Sequence, residues 1–422
     1  MAPKTQALTQ KSAQKPTQAL TLALVPSLVP ALIAKLFECA RRPGWCLAML
    51  LIPGLAQATT DDITDKISLP PGFSIEIYID KIPNARQMAL GDDGSLFVGS
   101  RREGRVYGVK DLDADGRPDK VFVLASELQM PSGIAFHDGA LYVAAVDKIL
   151  RYPRIEAYLS AKLARPDLPP PQPQLVFDDL PSETHHGWKY LKFAPDGELY
   201  IPIGAPCNIC DAGKDYAKII GLNLTTKATR LIAAGVRNSV GFDWHPKTRE
   251  LWFTDNGRDM LGDDVPSDEL NRVGREGAHF GYPYIHQGDL PDPKFGRGKR
   301  PQDYQAPEVK LGAHVAALGM TFYRGQQFPA PYNQGIFIAE HGSWNRSTKV
   351  GYKVSFVALD GNRVVGLSDF ASGWLQGETV LGRPADVLQL PDGSLLVADD
   401  AKGRVYRISY RTPSAAPGTE PD

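Results

Sequence analysis

From residue 72 onward, short apolar runs with alternating polar positions break repeatedly at Gly, Asp and Pro. Arg86-Gln87-Met88-Ala89-Leu90 passes through Asp92-Asp93-Gly94 into Leu96-Phe97-Val98. Alternation at period two with aromatic and β-branched residues predicts strands, and an Asp-Gly step supplies the positive φ of a tight hairpin turn. The pattern returns at Gly133-Ile134-Ala135-Phe136, Asp138-Gly139 and Leu141-Tyr142-Val143. It returns again at Tyr190-Leu191-Lys192-Phe193, Pro195-Asp196-Gly197 and Leu199-Tyr200-Ile201. Val240 to Phe253, Leu318 to Ile338 and Ala385 to Val397 complete the series. Some copies add a third strand, as at Arg105-Val106-Tyr107-Gly108-Val109 and Arg404-Val405-Tyr406-Arg407-Ile408.

Six such copies, spaced by roughly 45 to 80 residues, predict an all-β, six-bladed β-propeller over 72–410. No blade can bury both faces alone, so radial stacking must supply the core. The uneven spacing places the excess in loops, chiefly 152–182 and 257–315, which would gather on one rim and shape a pocket. Almost no helix-period segment supports the rival, a two-domain α/β enzyme. Residues 411–422 read as a disordered tail.

The chain has 422 residues and a net charge of −1, which removes a composition-based case for nucleic acid. Residues 1–58 read as a leader. Arg41-Arg42, the apolar run Trp45 to Leu55 and Ala56-Gln57-Ala58 make a cleavable export signal ending at Ala58. A periplasmic or secreted protein is expected, with membrane contact only through an uncleaved leader. Export would allow Cys207 and Cys210 to be oxidised, and a structural disulfide is favoured over a thioredoxin-like redox pair. Residue 211 is Asp where haem attachment needs His.

Candidate chemistry collects at strand ends. His185 and His186 precede the third copy, Arg237 and Asn238 the fourth, Arg383 the sixth and Arg86 the first. Arg258 follows the second strand of copy four, and His341, Trp344 and Arg346 that of copy five. Propeller geometry puts these positions on one face. Cations around a histidine predict an anionic, hydrogen-bond-rich ligand. The plainer readings are a rim histidine that serves as a donor, a surface ion pair at Arg237, and Trp188 as core. Carboxylates and carbonyls around Gly257 are hard oxygen ligands suited to calcium. Asp111-x-Asp113-x-Asp115-Gly116 imitates the front of an EF-hand, but Phe122 stands at the twelfth position, which favours a solvated turn over a calcium staple.

These motifs resemble the pyrroloquinoline-quinone (PQQ)-dependent glucose/sorbosone dehydrogenase family over about 72–410. The sorbosone and pyranose branch is the most similar, through His185-His186-Gly187-Trp188-Lys189-Tyr190, Cys207-Asn208-Ile209-Cys210 and Asp255-Asn256-Gly257-Arg258-Asp259. The resemblance implies His186 as general base, with His185 the fallback. It implies cofactor contacts at Arg86, Arg237, Asn238, Trp344, Arg346 and Arg383, and calcium on the main-chain carbonyls of Gly257 and Arg258. It further implies oxidation of a sugar or sugar aldehyde, with hydride passing to the quinone and electrons to an external acceptor. Ala385 stands where the glucose enzymes carry a second arginine, and Gly342 near their lysine, which weakens glucose as the substrate. A calcium-dependent propeller lactonase or hydrolase would carry its metal on inward Asn, Asp and Glu side chains. A non-catalytic binding propeller would need none of these polar strand starts.

Overall fold

The computed structural model describes residues 62–412, so the leader and most of the tail lie outside the described residues. The chain forms a six-bladed propeller of antiparallel sheets. Blade one comprises Ala85–Leu90, Leu96–Ser100, Val106–Lys110 and Lys120–Ala125. Blade two runs from Gly133–His137 through Ala140–Ala144 and Ile149–Tyr152 to Gln174–Phe177. Blade three has Lys192–Phe193, Leu199–Ile203, Lys218–Leu222 and Thr229–Ala234, with Ala278–His279 added in parallel. Blade four combines Phe242–Trp244, Leu251–Asp255, Ser267–Arg272 and Val309–Ala313, and blade five Ala317–Phe322, Gly335–Glu340, Lys353–Asp360 and Arg363–Ser372.

Blade six closes the ring. Pro384–Gln389, Leu395–Asp399 and Arg404–Tyr410 are completed by Phe73–Asp80, which pairs antiparallel with Arg404–Tyr410. The two ends of the propeller are thereby held in one sheet, and no blade is left with an open radial seam.

The turns follow their chemistry. Gly94, Gly139, Gly197 and Gly393 take φ of 82°, 68°, 87° and 89° in the Asp-Gly turns of blades one, two, three and six. A second use of glycine lies near the axis, where blades converge. A Cβ on Gly241 would stand 2.1 Å from the carbonyl of Leu318, and one on Gly319 would stand 1.9 Å from Asp386 Oδ1. Inner strands can approach that closely only without side chains. Farther out, aromatic rings fill the widening space, as with Phe337, Phe356, Phe370 and Trp374 between blades five and six.

One expectation needs correction. The insertion 152–182 contains a ten-residue helix, Ile155–Ala164, before its proline-rich stretch. Only Ile155 and Leu159 are buried, packing in the cluster of Phe97 and Val106, so its apolar signal is a single i, i+4 pair. Elsewhere a strand is shorter than expected: of Tyr190 to Phe193, only Lys192–Phe193 forms a ladder.

Buried polar groups stitch adjacent blades. Gln87 donates to the carbonyl of Leu191 at 2.5 Å and accepts from the amides of Leu191 and Ile134. Asp243 accepts from the Phe322 amide, and Lys192 and Arg324 each reach it at 2.7 Å. Burial opposes its ionisation, but the two cations outweigh that and leave the carboxyl at about 2. Asp386 accepts from the Met88 amide at 2.8 Å and has no ion pair among the described residues, and burial pushes it up to about 7.

A raised carboxyl holds a proton in the folded state that the unfolded chain releases. Its stabilising contribution is complete below the ordinary carboxylate range and is lost as pH rises through about 7. Between pH 6 and 9 the melting temperature should therefore fall. Asp386→Asn, which keeps shape and acceptor, should fall by several degrees less. Equal pH slopes in thermal melts would remove Asp386 as a source.

Candidate active site

One face of the ring opens into a cavity of about 650 Å³. Half-buried Trp188 lies against Val240, Leu318 and Ala385, the openings of the inner strands of blades four, five and six. Above this apolar patch the lining is cationic and imidazole-rich. Arg86, His186, Arg237, Asn238, Gly257, Trp344 and Arg383 all line the cavity, together with His185 and His341.

His186 is 8% exposed, whereas His185 beside it is exposed. The His186 backbone is left-handed, with φ of 51°, an uncommon conformation for a non-glycine residue. Gly204 makes this placement possible, since a Cβ there would stand 2.6 Å from that of His186. Nδ1 of His186 lies 2.9 Å from the Ala205 carbonyl. A carbonyl only accepts, so Nδ1 carries the proton and Nε2 the lone pair. Burial, then the charge of Arg237, push this imidazole well below its ordinary value and keep it neutral.

Arg237 is 4% exposed and is not a surface ion pair. Nε donates to Asn208 O at 2.9 Å, Nη1 to Asn256 O at 3.0 Å, and Nη2 to Asn208 Oδ1 at 2.9 Å and Asp259 Oδ2 at 3.1 Å. Its amide and that of Asn238 are held by the two oxygens of Asp255, at 2.8 and 2.6 Å. Asp399 does the same for the Arg383 amide at 2.9 Å. An acid ending the second strand thus clamps the opening of the first. Asp268 similarly takes the amides of Gly257 and Ala316 at 2.7 and 2.6 Å.

Arg86 reaches Asp400 Oδ2 at 2.6 Å, and His341 Nε2 reaches Oδ1 of the same carboxylate at 2.8 Å. Burial opposes the charge on Asp400, but Arg86 and His341 outweigh it and hold the carboxyl well below the usual range. Burial takes His341 down to about 4. Arg86 Nε and Arg101 Nε are both buried without a hydrogen-bond partner among the described residues. Arg101 stacks on Trp188 with its guanidinium carbon 3.6 Å from a ring centroid. Burial and the neighbouring Arg86 bring Arg101 to about 10.

A family model described as "Glucose / Sorbosone dehydrogenase" matches residues 171–407. The chain belongs to that family. A Borreliella burgdorferi protein described as an uncharacterized protein is 36% identical over 360 residues, covering 83% of this chain and 92% of its own. Among solved structures, the calcium structure of a Trichoderma reesei protein of Carbohydrate-Active Enzymes Family AA12 superposes with a TM-score of 0.69 at 18% identity. The match covers 82% of this chain and 97% of that one. The holo form of the pyranose dehydrogenase PQQ domain from Coprinopsis cinerea gives 0.65 at 18% identity, over 81% and 97%. The PQQ-bound aldose sugar dehydrogenase of Streptomyces coelicolor gives 0.56 at 18%, over 82% and 100%. At such identity these structures show a shared fold.

Within this glucose/sorbosone dehydrogenase family member, two predicted cations turn away from the cavity lining. Arg258 pairs with Asp292 at 2.6 Å, and Arg346 binds the Asp263 carbonyl and the Asp264 carboxylate. Trp344 stands at the mouth, 68% exposed. Three residues of the site were missed: Arg101, Asn208 and Asp400. Arg101 and Asp400 each stand one residue beyond a blade's second strand, Leu96–Ser100 and Leu395–Asp399, so the positional rule that singled out Arg258 could have found them.

Cys207 and Cys210 are disulfide-bonded. Asp111, Asp113 and Asp115 bring carboxylate oxygens within 4.8 Å at an exposed hairpin tip, where Asp111 accepts from the amides of Ala114 and Gly116.

Proposed function

We propose that this family member is a PQQ- and calcium-dependent dehydrogenase that oxidises a sugar or sugar aldehyde and passes electrons to an external acceptor. The observation that carries the reading is the neutral, Nδ1-anchored His186 on the wall of a cation-lined cavity. The donor set fits both groups. Arg86 and Arg101 hold buried, unpartnered nitrogens suited to the carboxylates of a polyanionic quinone. The carbonyls of Gly257 and Arg258 accept no hydrogen bond among the described residues, which leaves two hard oxygens for calcium.

When bound, the calcium-polarised quinone would supply the hydride acceptor. The chain supplies the rest. Nε2 of His186 is placed to take the proton of a substrate hydroxyl or aldehyde hydrate, while the Ala205 carbonyl fixes the ring's orientation. Arg383, which donates to the carbonyls of His341 and Gly342, offers charge on the opposite wall. Exposed Trp344 would meet the substrate at the mouth.

The hydrolase reading finds less support. Asp255, which lies behind Asn238, holds the amides of Arg237 and Asn238 with its two oxygens. Both oxygens of Asp268 are already engaged by backbone amides. A periplasmic or secreted location is part of the proposal, and a disulfide suits such an oxidising setting.

Adding PQQ and calcium to the apo protein is expected to give a quinone absorbance that is bleached by an aldose or sorbosone-like sugar. Saturable binding without bleaching by any sugar would leave a binding propeller; absence of binding would defeat the reading.

A further inference from the structure

We propose that the Cys207–Cys210 loop is a clamp that positions Arg237, with Asn208 as its contact residue, so that the oxidation state of the disulfide sets the order of this cavity cation. Asn208 lies between the bridged cysteines and holds Arg237 twice, through its main-chain oxygen on Nε and its side-chain oxygen on Nη2, each at 2.9 Å. The same Oδ1 accepts the Asp259 amide at 2.8 Å, and Nδ2 donates to the Asp259 carbonyl at 3.1 Å. Asp259 in turn reaches Arg237 Nη2 at 3.1 Å.

Asn208, Asp259 and Arg237 thus form a closed ring of contacts, which with Asn256 uses four of the five guanidinium N–H groups. The remaining Nη1–H is the donor left for a ligand. This differs from a freely presented arginine fork: the charge stays fixed at the wall, and its direction depends on where Asn208 sits.

Nothing helical or sheet-like holds residues 204–217. The loop is rooted by the Ala205 amide on the Arg237 carbonyl at 2.8 Å and by Ile209 packed with Ala205, Ala217 and Tyr282. Around Asn208 it is fastened by the disulfide and by Tyr282, whose hydroxyl takes the Cys210 amide at 3.1 Å and lies 3.3 Å from Cys207 Sγ. Opening the bridge lets Asn208 sample other backbone states, and ordering it again must be repeated at each binding event.

The consequence for cofactor affinity rests on the function proposed above, so the test separates the two. Without quinone, dithiothreitol converts the S–S bond to two thiols and closes to its own cyclic disulfide. Hydrogen–deuterium exchange at the Asp259 amide is then followed, because that amide reports the Asn208 contact directly. Thiols add to quinones, so affinity is measured instead on Cys207→Ser/Cys210→Ser, Asn208→Ala and Asn208→Asp by PQQ titration with calcium.

Exchange at Asp259 is expected to accelerate on reduction in the parent and to be insensitive to dithiothreitol in the double serine variant. PQQ affinity is expected to fall about tenfold in the double serine and Asn208→Ala variants. Asn208→Asp retains the acceptors for Arg237 and the Asp259 amide but loses the donor to the Asp259 carbonyl and adds a negative charge beside Arg237, so it should recover only part of the loss. Unchanged Asp259 exchange on reduction overturns the clamp, whatever the affinities do. Faster exchange in a parent protein that binds no PQQ supports the clamp while defeating the cofactor reading. Faster exchange with parental affinity in all three variants overturns the link between loop and ligand.

Discussion

Replacing His186 by alanine is expected to lower turnover by at least about a hundredfold while PQQ and calcium affinities stay near parental values. The argument is geometric. The Ala205 carbonyl occupies Nδ1, leaving Nε2 as the basic atom, and His186 belongs to the cavity wall. Alanine keeps the Cβ that Gly204 accommodates, so the local packing survives. The residue is buried, so some stability is lost. One missing hydrogen bond costs about 0.5–1.5 kcal/mol, the left-handed strain being common to histidine and alanine, and a melting curve must accompany the kinetics. His185→Ala should lose far less, because its exposed ring lacks an anchoring carbonyl among the described contacts.

The pH dependence gives an independent check. A base whose imidazole is held well below 6.5 stays unprotonated at lower pH than an ordinary histidine. The acid limb of kcat/KM should therefore fall below pH 6.5, with activity lost as pH drops through the depressed value. A large loss in His185→Ala would move the base there. Full activity in both variants would sink the dehydrogenase mechanism.

The blades were legible because each carries its own local signal: a period-two run, an Asp-Gly or equivalent turn, and a second run. Phe73–Asp80 resisted assignment to a blade because its partner, Arg404–Tyr410, stands at the other end of the propeller, and strand pairing at that separation leaves no local trace. The helix Ile155–Ala164 was hidden for the opposite reason, since it buries too few side chains to print a period.

At the site, strand openings were readable because the fold itself gathers them on one face. Direction was not readable. Arg258 and Arg346 occupy loops on that face, yet Asp292, Asp263 and Asp264 draw their guanidinium groups elsewhere. Arg237 was expected to contact the cofactor, and most of its donors are engaged within the chain, because its partners Asn208, Asn256 and Asp259 come from separate loops that only the folded ring brings together. Position along a repeat thus specifies a face, while ion pairing chooses which side chains reach the ligand.

Arg86→Met is expected to weaken PQQ binding by at least about thirtyfold, since truncating a charged contact in a desolvated pocket costs about 2–5 kcal/mol. Arg86 spends one nitrogen on Asp400 and keeps a buried Nε without a partner among the described residues, so it has more donor capacity than Arg237, which keeps a single N–H. Methionine retains much of the volume, but Asp400 loses its guanidinium partner and is left with His341 at 2.8 Å and the longer contact from Asn84 Nδ2 at 3.4 Å. Removing one partner of a buried pair costs about 3–5 kcal/mol when the other charge stays stranded. Here the stranding is conditional, because His341 can take a proton. In the parent, burial holds His341 at about 4 and Arg86 helps keep it there. Without Arg86 the imidazole should titrate higher and become the cation that Asp400 needs. A raised folded value contributes stability at low pH that is lost as pH rises through it. The melting temperature of Arg86→Met should therefore lie far below the parent at pH 8 and close much of that gap near pH 5, with histidine ring NMR following His341 directly. Parental PQQ affinity in Arg86→Met would make Arg86 a structural ion pair, and a pH-independent stability gap would exclude His341 as the compensating charge.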